Sequence, residues 1–442
     1  MLPPEPQSSA LVQSARWTYR PLAFMHECRQ RYGDAFRASF IGLREPLVFV
    51  SDPAVIKALY AEPANGLARG RNIVLEPIVG PHSLLLQEGE PHLARRRLML
   101  PPFHGERMRS YEAVVAAAIG TEIDSWPLDA EFSLHGRMQA VTLEVILRAV
   151  FGVSEGPRLN RLRALLSDTL AATASTGLQL IVLLISRFDG GGPWGRAKRR
   201  LREVDQLLFA EIAERRRLPD LEQRDDILSM LMQARFEDGE AISDAELRDQ
   251  LMTLLVAGHE TTATALAWTF DLLLRNPAAL RRLRESLAAG EEDYLRATIS
   301  ESLRVRPVVP ITGRVLAAEL EAGDLRLPAG TSVLPAIWLT HTREDVYPEP
   351  FAFRPERFLG NGPETFAWIP FGGGIRRCLG ASFAEFEMRI VLREVLSRCE
   401  LLPASARPEA VMRRNVTLSP RRGTPVVVAA RGPAVERDLA RV

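Results

Sequence analysis

Three groups of residues in this 442-residue chain have the types and spacing to do chemistry. The first is Phe371 to Gly380, where glycines at 372, 373 and 374 and two arginines precede Cys378, and a helical pattern follows it. Glycines allow positive φ and close approach of a flat partner, while helix N-terminal amides and their dipole favour a thiolate. The second is Ala257-Gly-His-Glu-Thr-Thr262, inside an apolar helical run. An interior glycine costs about 1 kcal/mol against alanine, and a buried carboxylate costs more unless paired. Ala257 and Thr261 lie four apart, so the threonine hydroxyl can bond back to that carbonyl, bend the helix and open a groove for a small ligand. An exposed polar patch on an amphipathic helix is the competing reading. The third group is Glu301 and Arg304, three apart on one helix face, with Arg357 in the proline-broken stretch Arg354 to Leu359. Together these would make a Glu-Arg-Arg cluster with bidentate geometry; apart, they are surface pairs worth under about 1 kcal/mol.

Three uses compete for Cys378. A phosphate loop needs a lysine and a serine or threonine after its last glycine, and a zinc site needs further cysteines or histidines nearby; the stretch has neither. A single axial thiolate to haem remains, with the glycines letting the macrocycle lie against the loop.

These residues need elements to place them. Apolar residues recur at spacings of three and four over Leu22–Tyr32, Pro91–Leu100, Ser110–Asp124, Ala140–Val150, Arg158–Ala171, Trp194–Arg217 and Asp225–Ala234, predicting helices. Ser243 with Glu246 is a capping-box start and Asn276-Pro277 a stop, which predicts one central helix of about 30 residues, roughly 45 Å long. A helix that long and apolar must run through the middle of a large domain. Strand signals are few: Leu47 to Ser51, Ser332 to Leu339, and a C-terminal hairpin pairing the Val416 and Thr424 stretches across Arg421-Arg422-Gly423. Asp189 to Gly195 reads as a loop between helices. The expectation is a mainly α protein with a small β part, organised as one domain over 1–442, with residues 1–20 a flexible extension.

Composition narrows the function. Lys and Arg (56) nearly balance Asp and Glu (55), which excludes a whole-protein field for nucleic acid or an anionic membrane as the main partner. Cys28, Cys378 and Cys399 form a sparse, odd set without a disulfide framework, as in a reducing cytoplasm. No stretch approaches the roughly 18 apolar residues of a membrane span, so a soluble protein without a membrane anchor is expected. The remaining histidines show no paired spacing for a second metal, and Cys28 and Cys399 read as ordinary helix residues.

On these residues the chain resembles the cytochrome P-450 family of haem-thiolate monooxygenases. The family's Phe-x-x-Gly-x-Arg-x-Cys-x-Gly is matched by Phe371, Gly374, Arg376, Cys378 and Gly380. Its Glu-x-x-Arg is matched by Glu301 and Arg304, its Pro-Glu-Arg-Phe by Pro355 to Phe358, and its oxygen-groove pattern by Ala257, Gly258, Glu260 and Thr261. The four motifs stand in family order and spacing, and the resemblance covers nearly the whole chain. It implies a single P-450-type domain with a long helix over haem b, iron protoporphyrin IX held by the Cys378 thiolate. It also implies that His92, Arg96, Arg314 and Arg376 pair with the haem propionates, and that Glu260 and Thr261 deliver the protons that dioxygen cleavage needs. Thr261 points to true oxygen activation rather than isomerase or peroxide-only chemistry, and with Glu260 it argues against a dehydratase.

The activity implied is hydroxylation or epoxidation of a lipophilic small molecule such as a fatty acid, terpenoid or polyketide, in a cytoplasmic monomer. The segments that would line the pocket are Ile73–Val79, Thr173–Ile185, Leu254–Ala257, Val308–Thr312 and Val416–Leu418, mostly apolar. Electrons would come from a separate ferredoxin and its reductase, with Arg95, Arg97, Arg377, Arg389 and Arg393 as a basic docking face. A haem-thiolate sensor without turnover is the alternative; it would not need Glu260 and Thr261.

Overall fold

The computed structural model describes residues 2–62, 66–67, 71–105, 107–152, 156–173, 193–360, 362–414 and 416–432. The expected loop at 189–195 falls largely outside them. The central helix spans Asp244–Arg275, 32 residues, and its capping box is formed: Ser243 Oγ accepts from the Glu246 amide at 3.2 Å and Glu246 Oε2 accepts from the Ser243 amide at 3.1 Å. Both ends of that reciprocal pair satisfy helix-start donors, which explains why the boundary was readable. The helix is buried along most of its length between helix Leu134–Phe151, helix Pro193–Arg215, helix Asp293–Val305 and helix Ala381–Arg398. This single layered helical core is one contiguous apolar cluster.

The β part packs against two smaller clusters. A five-stranded sheet has the order Ala35–Ala38, Leu47–Val50, Ser332–Pro335, Arg314–Val315, Gly66–Leu67. Leu47–Val50 and Ser332–Pro335 run parallel, Val48 opposite Val333, and the other pairs are antiparallel. The strand expected over Ser332 to Leu339 stops at Pro335, and Ile337–His341 is a short helix. Pro335 has no N–H to continue the ladder, so the chain turns there.

The expected C-terminal hairpin does not form. Thr417–Pro420 pairs with Val411–Arg414, whereas Pro425–Arg431 lies between Phe132–Ser133 and Cys399–Pro403. Proline at both 420 and 425 removes the donors nearest the turn, and positive φ at Gly423 (77°) and Thr424 (53°) swings the chain to a different sheet. Cys399, expected in a helix, begins the strand Cys399–Pro403 and is buried.

Nor are the described residues of the N-terminal extension loose. Ala10–Tyr19 is a helix; Pro3 and Pro4 carbonyls accept from the Arg37 side chain and amide, both at 2.8 Å. Gln13 is 1 % exposed and accepts from the Ser39 amide, while Trp17 packs on Phe24, Phe40 and Phe49. Burying one indole and satisfying one amide side chain offsets the entropy of ordering this segment. No helix among the described residues is long and apolar enough to cross a membrane.

Within helix Ala381–Arg398, Glu387 is buried, and its Oε1 has no hydrogen-bond partner. Burial pushes its carboxyl up from 4.5 to about 8. The folded protein therefore holds this proton up to about pH 8, whereas the unfolded chain releases it near 4.5. The stabilisation is complete below 4.5 and declines by about 1.4 kcal/mol per unit as pH rises towards 8. Glu387→Gln is expected to gain on the wild type as pH rises, by about 3 kcal/mol at neutral pH. Denaturant midpoints from about pH 5 to pH 8 check this; parallel curves for the two proteins would refute it.

Candidate functional site

The Cys378 loop hangs between helix Pro53–Ala61 and helix Ala381–Arg398. It is tied at its entry by the Ile369 amide, which donates to His341 Nε2 at 2.9 Å, and folded by Gly372 N to Ile369 O (3.0 Å), Arg377 N to Gly374 O (3.1 Å) and Cys378 N to Phe371 O (2.9 Å). Phe371 rests edge-on against Trp368. Gly372 and Gly374 have φ of 68° and 65°, where a side chain is strained. At Gly373 a Cβ would lie 2.4 Å from the Tyr60 ring, and at Gly374 2.6 Å from the Tyr60 carbonyl. The flat partner that these two glycines admit is thus Tyr60 itself, fixed by its hydroxyl against Thr312 Oγ1 at 2.8 Å. Gly380 faces open space.

Cys378 has exposed surface, unlike buried Cys28 and Cys399, yet protein crowds it closely. Burial pushes the thiol up, against the Gly380 amide, Arg377 and Arg96, which pull it down. The helix-end amides expected to favour a thiolate are therefore outweighed, and the sulfur needs a cation opposite it to ionise fully.

Four basic groups converge beside it. His92 and Arg96 stand one turn apart on helix Gly89–Met99; Arg314 comes from the five-stranded sheet and Arg376 from the cysteine loop. Arg314 donates to Gly313 O at 2.8 Å and stacks over Tyr60, and Arg376 donates to Gln87 O at 2.8 Å. His92 is 2 % exposed with Nδ1 unpartnered, and its pKa is held down to about 4 by burial, then by Arg376, Arg96 and Arg314. A buried, unpartnered imidazole among three guanidinium groups fits a ligand carrying two carboxylates, and the neighbouring thiol fits a metal. The residues present therefore fit haem. Among the described residues no group of three or more His, Cys, Asp or Glu could hold a different metal ion.

The central helix stays continuous here but is less covered on one side. Ala257 is exposed and Gly258, Glu260 and Thr261 half-buried, within a helix otherwise enclosed on both sides of this stretch. Thr261 Oγ1 donates to the Ala257 carbonyl at 2.7 Å. Glu260 turns to helix Leu134–Phe151, accepting from Gln139 Nε2, with Arg414 Nη1 at 3.6 Å. Burial raises its pKa, opposed by Arg414, Gln139 and Thr264.

Glu301, Arg304 and Arg357 meet behind the loop. Arg304 grips Glu301 with two bonds of 2.6 and 2.8 Å, both side chains fully buried, and Arg357 Nε lies 3.5 Å from Glu301 Oε1. Pocket segments also converge: the Leu418 amide donates to Val308 O at 2.7 Å, and Trp268 of the central helix donates to Leu418 O at 2.8 Å. Side chains at 73–74 and the segment 174–185 lie outside the described residues.

The basic docking face is largely neutralised. Arg95 pairs with Glu246, Arg97 with Glu237, Arg389 with Glu292, and Arg393 with Glu112 and Glu292. Tyr60, His341, Gln139 and Arg414 were not foreseen; only Tyr60's place in an apolar helix carried any signal in sequence.

The family model for cytochrome P450 matches residues 3–425. Cytochrome P450 135B1 of Mycobacterium tuberculosis is 42% identical over 438 residues, covering 97% of this chain and 92% of that protein. Cytochrome P450 137 of the same species is 40% identical over 398 residues, covering 90% and 83%. Neither name carries a substrate. Among solved structures, the retinoic-acid-bound cyanobacterial CYP120A1 superposes with a TM-score of 0.83 at 23% identity, covering 97% of this chain and 99% of that one. The haem domain of cytochrome P450DA gives 0.85 at 21%, covering 98% of both. These two likenesses show the fold. The family model and the mycobacterial relatives carry the stronger conclusion: this chain belongs to the cytochrome P450 family of haem-thiolate monooxygenases.

Proposed function

We propose that the protein hydroxylates or epoxidises a lipophilic small molecule such as a fatty acid, terpenoid or polyketide, with dioxygen and two electrons from a separate ferredoxin and its reductase. The observation that carries this reading is the less covered stretch of the central helix, where the Thr261 hydroxyl sits on the Ala257 carbonyl one residue after Glu260. A protein that only bound haem would have no use for that pair. Haem ligated by Cys378, when bound, supplies activation of dioxygen and transfer of one oxygen atom to a C–H or C=C bond. His92, Arg96, Arg314 and Arg376 would hold the carboxylates of that group. Glu301, Arg304 and Arg357 brace the segment before the cysteine loop, and Phe371, Gly374 and Gly380 shape it. Thr261 holds a proton at its Oγ1 and Glu260 replenishes it, while apolar Leu254, Val308 and Leu418 keep the substrate side dry. With the docking arginines mostly ion-paired, the electron carrier would be recognised by shape and local polar contacts rather than by surplus positive charge.

The test is turnover of a panel of lipophilic compounds with surrogate ferredoxin partners, reading incorporation of labelled dioxygen into product. Thr261→Ala is expected to lower product yield by about 100-fold while substrate affinity stays unchanged. Undiminished yield in that variant would remove Thr261 from the chemistry. A panel that binds without any product would favour a sensor.

A further inference from the structure

Glu260 lies in a polar cage built by three elements. Helix Leu134–Phe151 contributes Gln139, which donates to Glu260 Oε2, and His135, whose Nε2 stands 3.7 Å from Oε1 and 3.1 Å from Thr264 Oγ1. The strand Val411–Arg414 contributes Arg414, 3.6 Å from Oε1. The central helix itself contributes Thr264 and His259, the latter meeting Thr142 Oγ1 at 3.0 Å. The two histidines are buried and kept neutral, their pKa held down to about 3 for His135 and about 4 for His259, by burial first and Arg414 second. Arg414 is therefore the full positive charge facing this carboxyl.

Its placement is built. The hairpin that carries Arg414 is pinned to the central helix by Trp268 Nε1 on Leu418 O, and Thr417 Oγ1 donates to the Arg414 carbonyl at 2.8 Å. Oε2 accepts from Gln139, whereas Oε1 has no close hydrogen-bond donor and stands 3.6 Å from Arg414 and 3.7 Å from His135. An oxygen without a close donor is the one best placed to take a proton.

We propose that Arg414 is a positioning residue that keeps Glu260 ionised despite its burial, with Oε1 left free to accept the proton that is then passed to Thr261. This rests on the reading of Glu260 and Thr261 as the proton-handling pair. Without Arg414, burial would push the carboxyl further towards its protonated form.

The experiment is an infrared pH titration of the resting holoprotein, following the carboxylic acid band that disappears in Glu260→Gln. Arg414→Gln is expected to move the midpoint of that band upward by about one to three pH units. Arg414→Lys should bring it back towards the wild type, which separates charge from a general loss of structure. The pH profile of product yield should move with the band. A midpoint unmoved in Arg414→Gln, with thermal unfolding unchanged, would overturn the role of Arg414. A moved midpoint combined with full product yield in Glu260→Gln would instead overturn Glu260 as a proton carrier, and leave Arg414 as the group that sets its charge.

Discussion

Cys378→Ser is expected to abolish the far red-shifted Soret band of the reduced, carbon monoxide-treated protein, and to reduce turnover by at least about 1000-fold. The sulfur is the one cysteine thiol with exposed surface, and it lies beside Arg96 and Arg377 at the start of helix Ala381–Arg398. Thiolate electron donation is what favours cleavage of the O–O bond, and a serine oxygen, far less acidic and less polarizable, does not supply it. Cys28 and Cys399 are buried, the first in helix Pro21–Tyr32 and the second at the head of a strand, and burial raises both thiols. Cys28→Ser and Cys399→Ser should therefore leave the band in place. The outcome that refutes the assignment is a band retained in Cys378→Ser and lost in one of the others.

Arg304→Leu is expected to destabilise the protein by about 3–5 kcal/mol, a large part of the roughly 5–15 kcal/mol that holds a domain folded. The guanidinium makes two bonds to Glu301 and further bonds to the carbonyls of His341 (2.7 Å), Pro350 (2.7 Å) and Ala352 (3.2 Å), and it stacks over Tyr347. Removing it leaves the Glu301 carboxylate buried with only Arg357 at 3.5 Å and the Arg354 amide at 2.8 Å. It also releases the backbone of His341, whose ring fixes Ile369 at the entry to the cysteine loop, so haem content should fall with stability. In urea unfolding, Glu301→Leu/Arg304→Leu should be much less destabilised than the sum of the two single variants, because neither charge is left alone. Strict additivity would show that the pair contributes nothing as a pair.

Both sites are legible in the sequence. Glu301 and Arg304 are three apart in a helix, so their meeting needs only helical geometry; Arg357 needed the fold to bring it within reach. The cysteine motif is contiguous, and its φ angles at Gly372 and Gly374 are those its glycines suggested. What pattern-reading missed lay at long range. The two C-terminal strands were located by their β-branched runs, but partner choice was settled by prolines 420 and 425 and by open edges elsewhere. The N-terminal segment read as loose because nothing local reveals that Trp17 will meet Phe24, Phe40 and Phe49.

By itself the sequence determined the family, the long capped helix with its Ala257–Thr261 hydrogen bond, the Cys378 loop and the Glu301–Arg304 pair, because each depends on spacings within one element. Only the tertiary structure decided that Tyr60 occupies the space left by Gly373 and Gly374, that four of five candidate docking arginines are ion-paired, and that Arg414 faces Glu260. Those contacts join residues far apart in the chain, and burial and charge pairing between separately formed elements select them; no local periodicity encodes that selection.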